Sequence, residues 1–209
     1  MNNRLEELLS RIKLLEQELF SELQKKEKEY FYEVRDKKVR FQKDVKEKNR
    51  LLLKTIRRYI NDATLLNILS GPVIWSCLLP ALFLDLVVSI FQMICFPVYC
   101  IPKVKRSDYI LFDRQYLSYL NLIEKINCCY CEYFTGLIGY VQEIAGRTEQ
   151  YWCPIKHAQR TKTRHSRYRF FLDYGDGEGF RENNSEIRSD FGDLDSKVPD
   201  PLVSKNTQL

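Results

Sequence analysis

The sequence predicts an all-α membrane protein: a long N-terminal helix, a membrane hairpin or kinked transmembrane helix, a cytoplasmic helical hairpin and a disordered tail. Three observations lead there. The chain of 209 residues carries 33 Lys+Arg and 28 Asp+Glu, yet Asp85 is the sole charge between Ala63 and Pro102. Leucine and isoleucine recur at intervals of three and four near the N-terminus, and again between Arg114 and Trp152. With 29% charged residues and a net charge of +5, the rest of the chain is too polar for a polytopic transporter. Seven cysteines, an odd number with Cys128 and Cys129 adjacent, fit a reducing compartment better than a disulfide framework. The opening residues Met1 to Glu7 lack the apolar core of a secretory signal.

Residues 1–62 form the first unit. Leu5, Leu8, Ile12, Leu15 and Leu19 make a seam of about two heptads, with Glu and Lys on its flanks, as helix pairing requires. Leu8, Ile12, Leu15 and Leu19 are its candidate pairing residues, with a second copy or another helical protein as partner. Phe31, Val34, Phe41 and Val45 continue a sparse stripe, and no Pro or Gly precedes Gly71, so one helix is expected over roughly 3–60. Residues 1–34 hold 8 acidic and 6 basic side chains; 35–58 hold 11 basic and 3 acidic. That basic run abuts the apolar block and lies in no nucleic-acid module, so a bilayer is the expected partner and nucleic acid is not.

Residues 63–102 form the membrane segment. Forty residues exceed the ~20 of one span. Gly71-Pro72, Pro80 and Pro97 punctuate them. Basic residues flank both ends, Arg57 and Arg58 before and Lys103, Lys105 and Arg106 after, which favours two cytoplasmic ends and hence a hairpin or re-entrant wedge. No polar turn divides two spans, so a single kinked span stays open. Asp85, the intramembrane acid, is a functional candidate by position, or a group reaching headgroups or capping the second helix if the chain turns near Pro80.

Residues 103–182 carry the chemistry-bearing side chains. Leu117, Leu120, Ile123 and Ile126 give one helical stretch, and Ile138, Val141 and Ile144 another, with the apex of a helical hairpin near Cys128–Gly136. Cys128 and Cys131 form a C-x-x-C; Cys153 and His157 form a C-x-x-x-H. Two such pairs have the donor types of a structural zinc site, which makes Zn or an Fe–S group the candidate cofactor. A helix over Gly136–Gln150 would be ~21 Å long and hold the pairs apart, so one metal would need a helix break or a second protomer. Redox chemistry at the C-x-x-C and plain packing of small thiols are the other readings. There is no P-loop, no dinucleotide-binding glycine pattern and no G-x-S-x-G. Residues 183–209 are polar, acidic and without apolar period, and are expected to be disordered.

Three runs carry a resemblance: Ile101-Pro102-Lys103-Val104-Lys105-Arg106-Ser107-Asp108-Tyr109, Ile123-Glu124-Lys125-Ile126-Asn127-Cys128 followed by Tyr130-Cys131, and Arg147-Thr148-Glu149-Gln150-Tyr151-Trp152-Cys153-Pro154-Ile155-Lys156-His157-Ala158. Over about residues 35–180 the chain resembles an uncharacterised bacterial membrane-associated family. That pattern carries Gly where this chain has Cys100 and Asn where it has Thr135. The resemblance implies a bacterial inner-membrane protein with cytoplasmic soluble parts, and brings no activity with it. The leading expectation is a non-enzymatic membrane-anchored scaffold or assembly protein. The alternative is a thiol- or metal-dependent redox enzyme or sensor.

Overall fold

The computed structural model describes residues 3–30, 32–35 and 38–195. Helices dominate, in the order α1 (Asn3–Glu29), α2 (Lys43–Leu51), α3 (Ile56–Asp62), α4 (Leu65–Ser76), α5 (Leu78–Val98), α6 (Leu122–Trp152), α7 (Gly177–Ile187) and α8 (Gly192–Asp195).

In place of the expected single helix over 3–60, the chain breaks into shorter elements after α1. From Tyr32 the apolar residues alternate rather than step by three and four, and alternation selects a strand. Strands β1 (Tyr32–Arg35) and β2 (Lys38–Phe41) pair antiparallel, with Tyr32 opposite Phe41 and Val34 opposite Val39. The rings of Tyr32 and Phe41 lie 5.8 Å apart, a cross-strand aromatic pair of the kind that stabilises a hairpin. Thr55 and Thr64 take extended backbone at the N-caps of α3 and α4 and restart the helix at each point. Leu15 and Leu19 are exposed on α1, so that part of the seam is not covered by its own chain. The side chains of Leu8 and Ile12 lie outside the described residues.

The apolar block is helical from Leu65 to Val98, long and apolar enough by length and composition to cross a membrane. It is interrupted at Cys77, whose backbone remains in the right-handed helical region. Pro80 accounts for the interruption: it offers no N–H to the Ser76 carbonyl, and its ring crowds that oxygen. The chain does not fold back at Pro80, which sits in the first turn of α5. It reverses after α5, where Cys100 takes a left-handed conformation (φ 55°).

The segment 103–182 does not form the expected helical hairpin. α6 runs unbroken through Cys128–Gly136 for 31 residues. It begins at a capping box in which Asn121 and Glu124 exchange side-chain-to-backbone hydrogen bonds, a feature worth about 1 kcal/mol. Gly136 marks a close approach within the helix rather than a turn. A Cβ there would stand 2.6 Å from the Tyr109 carbonyl oxygen and 2.8 Å from the Ile110 Cα. Helices α5 and α6 run parallel: Ile74, just before α5, meets Tyr130, Asp85 meets Tyr133, Gln92 meets Tyr140, and Tyr99 meets Tyr151. Parallel neighbours need a return connection. Residues 101–121 supply it as a strap lying back along both helices. Its Ile101, Val104 and Ile110 enter a core made by Phe96, Leu137, Tyr140 and Ile144.

The expected disordered tail is ordered through Asp195, and residues 196–209 lie outside the described ones. Its sequence shows no apolar period because polar groups hold it. The fully buried Gln150 amide donates to the carbonyls of Ile187 (2.8 Å) and Asp190 (2.7 Å), and Phe191 closes the contact.

Candidate functional site

The inner arcs of α5 and α6, sealed by the strap, enclose most of the buried polar groups among the described residues. On α5 the residues Ala81, Asp85, Ser89, Gln92 and Phe96 fall on one side, since steps of three and four stay within one arc. Asp85 lies at the centre of this arc. Arg106 of the strap reaches it at 2.7 Å, Tyr133 donates a hydrogen bond at 2.9 Å and Ser89 another at 3.4 Å. Burial, followed by the hydrogen bond to Asp85, pushes the Tyr133 phenol up, so it stays a donor. Asp85 therefore neither caps a helix nor reaches for headgroups; it is the counter-ion that fastens the strap. Arg106 is spent on the same pair and is not a free surface cation.

One turn and more along, Gln92 accepts from the Val104 N–H (3.0 Å), donates to the Val104 carbonyl (3.3 Å) and bonds the Tyr140 hydroxyl. On α6 the buried Glu132 accepts from the backbone N–H groups of Asp113 (3.2 Å) and Arg114 (2.8 Å). Buried Glu143 holds Arg147 at 2.9 Å and accepts from the Ser166 hydroxyl, while Arg147 also donates to the Pro102 carbonyl at 2.8 Å. Each of these groups finds its partner across the strap or in the segment after α6. The arrangement locks three segments together.

The thiol pairs do not meet. Cys128 and Cys131 lie near the start of α6, and Cys153 and His157 lie beyond its end, about 37 Å of helix away. One metal cannot take all four within a protomer. Among the described residues no group of three or more His, Cys, Asp or Glu converges as a metal site would require. Burial pushes the Cys128 thiol up, with the Arg114 charge pulling it partly back, so Cys128 lacks the low thiol pKa of a redox centre. His157 is exposed and stacks on Tyr168. The built-in histidine is His165, which meets Glu149 at 2.9 Å and lies over Gly146, where a Cβ would strike its ring at 2.6 Å.

Arg57 and Arg58 are exposed on α3, and Lys103 and Lys105 on the strap. Sequence reasoning singled these out but missed Glu132, Gln92, Arg147 and Gln150, set Glu143 aside as a weak carboxylate candidate, and gave Tyr133 and Tyr140 only a packing role. The Glu143/Arg147 spacing of four was a readable signal. Tyr133 and Tyr140, seven residues apart, were another.

The outer arcs differ sharply from the inner ones. On α5 the exposed residues include Leu79, Phe83, Leu86, Ile90, Met93, Ile94 and Val98. On α6 from Ile126 to Gly146 the exposed positions are Ile126, Asn127, Cys131, Thr135, Ile138, Gln142 and Ala145, without a Lys, Arg, Asp or Glu among them. Both carboxylates of that stretch, Glu132 and Glu143, are buried on the inner side. The strap is the reverse, exposing Lys103, Lys105, Arg106, Asp108, Asp113 and Arg114. No protein-family model, curated protein or solved structure matches the chain.

Proposed function

We propose that the chain is a non-enzymatic, membrane-anchored scaffold or assembly protein of the bacterial inner membrane. In this reading the α4–α5 helix lies in one leaflet and both ends of the chain are cytoplasmic. The carrying observation is the opposition between the uncharged outer arcs of α5 and α6 and the charged strap across their inner arcs. If α5 crossed the bilayer, the strap running its length would carry ionisable groups at hydrocarbon depth, each costing on the order of 3 kcal/mol at the centre. Lying along one leaflet, the outer arcs meet acyl chains and the strap meets water. Exposed Arg57, Arg58, Lys103 and Lys105 then gain about 1 kcal/mol each beside anionic headgroups. The exposed stripe through Leu15 and Leu19 supports pairing with a second copy or another helical protein.

The test is fractionation and topology together. The chain should stay in the membrane pellet after alkaline carbonate washing, and reporters fused before Met1 and after Leu209 should both report cytoplasm. Release by carbonate would remove the anchor; a periplasmic reporter after Leu209 would replace the one-leaflet reading with a span.

A further inference from the structure

A second feature of the molecule stands on the segment after α6 and does not depend on the membrane reading. From Pro154 to Arg169 the sequence holds Lys156, His157, Arg160, Lys162, Arg164, His165, Arg167 and Arg169, and no acid. The fold gathers part of this charge around a cleft of about 550 Å³. Lys156, Arg160, Arg164 and Arg169 line it, with Asp173 as the carboxylate among the described lining residues.

The cleft is built rather than a loose surface cluster. One wall is pinned to the other by a short parallel bridge, in which the Lys156 N–H donates to the Leu172 carbonyl (2.7 Å) and the Leu172 N–H to that of Pro154 (2.8 Å). Its floor is Tyr168, buried, whose hydroxyl accepts from the His157 N–H at 2.9 Å. Beside Tyr168, the Arg167 guanidinium is buried and bound to both Asp193 oxygens (2.8 and 2.7 Å) and to Gln150 (2.5 Å), which ties the floor to α6 and α8. Burial works against the Asp193 charge, but hydrogen bonds from Arg167 and then its charge, with Arg169 adding to both, hold that carboxyl below its ordinary value. The anchor is thus charged at neutral pH.

The lining cations are unequally committed. Lys156 is paired with Asp173 at 2.7 Å and Arg169 with Asp193 at 3.2 Å. Arg164 lies over the Tyr168 ring, 5.1 Å from its centroid, and neither it nor Arg160 has a carboxylate partner among the described residues. Two guanidinium groups therefore line the cleft without a carboxylate among the described residues to answer them, one of them held against the aromatic floor. Planar forks of five donors match the several acceptor oxygens of a phosphate better than a single ammonium does.

We propose that this cleft binds a phosphate-bearing ligand, with Arg160 and Arg164 as its principal holders and Lys156 recruited from Asp173. Two sources share that chemistry, a soluble phosphoester and a phospholipid headgroup. The cluster of Tyr99, Tyr151 and Trp152, with ring centroids 5.0 to 5.3 Å apart, ends only four residues before Lys156. Aromatic residues of this kind favour the headgroup level, which makes the lipid source testable beside the soluble one.

The probe is inorganic pyrophosphate, titrated calorimetrically into the full-length chain in neutral detergent. Binding should be saturable, and Arg160→Gln with Arg164→Gln should weaken it by about tenfold or more, the scale of lost charge-assisted hydrogen bonds. Lys162→Gln, a charge removal outside the cleft lining, should leave it nearly unchanged. Asp173→Asn should tighten binding by releasing Lys156. Absence of binding, equal loss in Lys162→Gln, or citrate binding as tightly as pyrophosphate would each overturn the assignment. In phosphatidylcholine nanodiscs, added phosphatidic acid that displaces pyrophosphate identifies the headgroup source; undisturbed pyrophosphate binding identifies the soluble one.

Discussion

Helices α1 and α6 are similar in length, 27 and 31 residues, and both carry apolar residues at intervals of three and four. Their fates differ. α1 leaves Leu15 and Leu19 exposed, while α6 buries Leu137, Tyr140 and Ile144 almost completely. What separates them is not the apolar stripe but what lies between its members. α6 has Gly136, Gly139 and Gly146, which admit Tyr109, Ile110 and His165 to close range. It also has Glu132, Glu143 and Arg147 on the inner arc, each with a partner fixed in space. α1 contains no glycine, and its described ion pairs, Lys25 with Glu22 and Lys26 with Glu29, are exposed and local. Apolar spacing makes a helix; close approaches and paired polar groups choose which neighbour it takes.

The largest test of that contrast is Arg147→Met. It leaves Glu143 buried without its cation and the Pro102 carbonyl without a donor, and should cost about 3–5 kcal/mol in denaturant unfolding. A loss under about 1 kcal/mol, within the range of ordinary surface changes, would mean the polar arc is not what fixes α6. Next is Gly136→Ala. The strap backbone must give way to a Cβ, for about 1–3 kcal/mol, read as a lowered melting temperature. An unchanged melting point would show that the strap does not rest on this helix. Smallest is Leu15→Glu combined with Leu19→Glu. Protomer stability should move by no more than about 0.5 kcal/mol, as for exposed sites, while the oligomeric mass in detergent falls. A loss above about 1 kcal/mol with unchanged mass would mean the stripe packs within one chain.

Much of the fold was legible because some signals are local. The apolar block follows from charge alone, and helical stretches around Ile126 and over Ile138, Val141 and Ile144 follow from their spacing, though not their continuity through Cys128–Gly136. Gly136 was misread as a turn because the same residue serves a turn and a close helix approach; the deciding atoms belong to Tyr109 and Ile110, far upstream. The period-2 signal from Tyr32 to Phe41 was present but short, between two longer helical patterns. The candidate site was less legible. C-x-x-C and C-x-x-x-H are spacings, whereas a metal needs distances, and an unbroken α6 sets those. Asp85 drew attention as a lone charge, but Arg106 becomes its partner only through the reversal after α5, and Tyr133 only through the parallel pairing. His165 outranks His157 in the built structure for the same reason: Glu149 and Gly146 receive it.

Parallel pairing of α5 and α6 also fixes an order of events during synthesis. Its contacts join residues 48 to 56 apart, as between Asp85 and Tyr133 or Ile74 and Tyr130. A ribosome adding about 5–20 residues per second needs about 3–11 s to proceed from Val98 to Trp152. Through that interval α5 exists as an apolar rod whose cover has not been made. Arg106 emerges within about two seconds and can neutralise Asp85 at once, whereas Tyr133 and Tyr140 arrive later. The outer arc of α5 is therefore exposed before the inner arc finds α6, and on the membrane reading proposed above anchoring would precede folding.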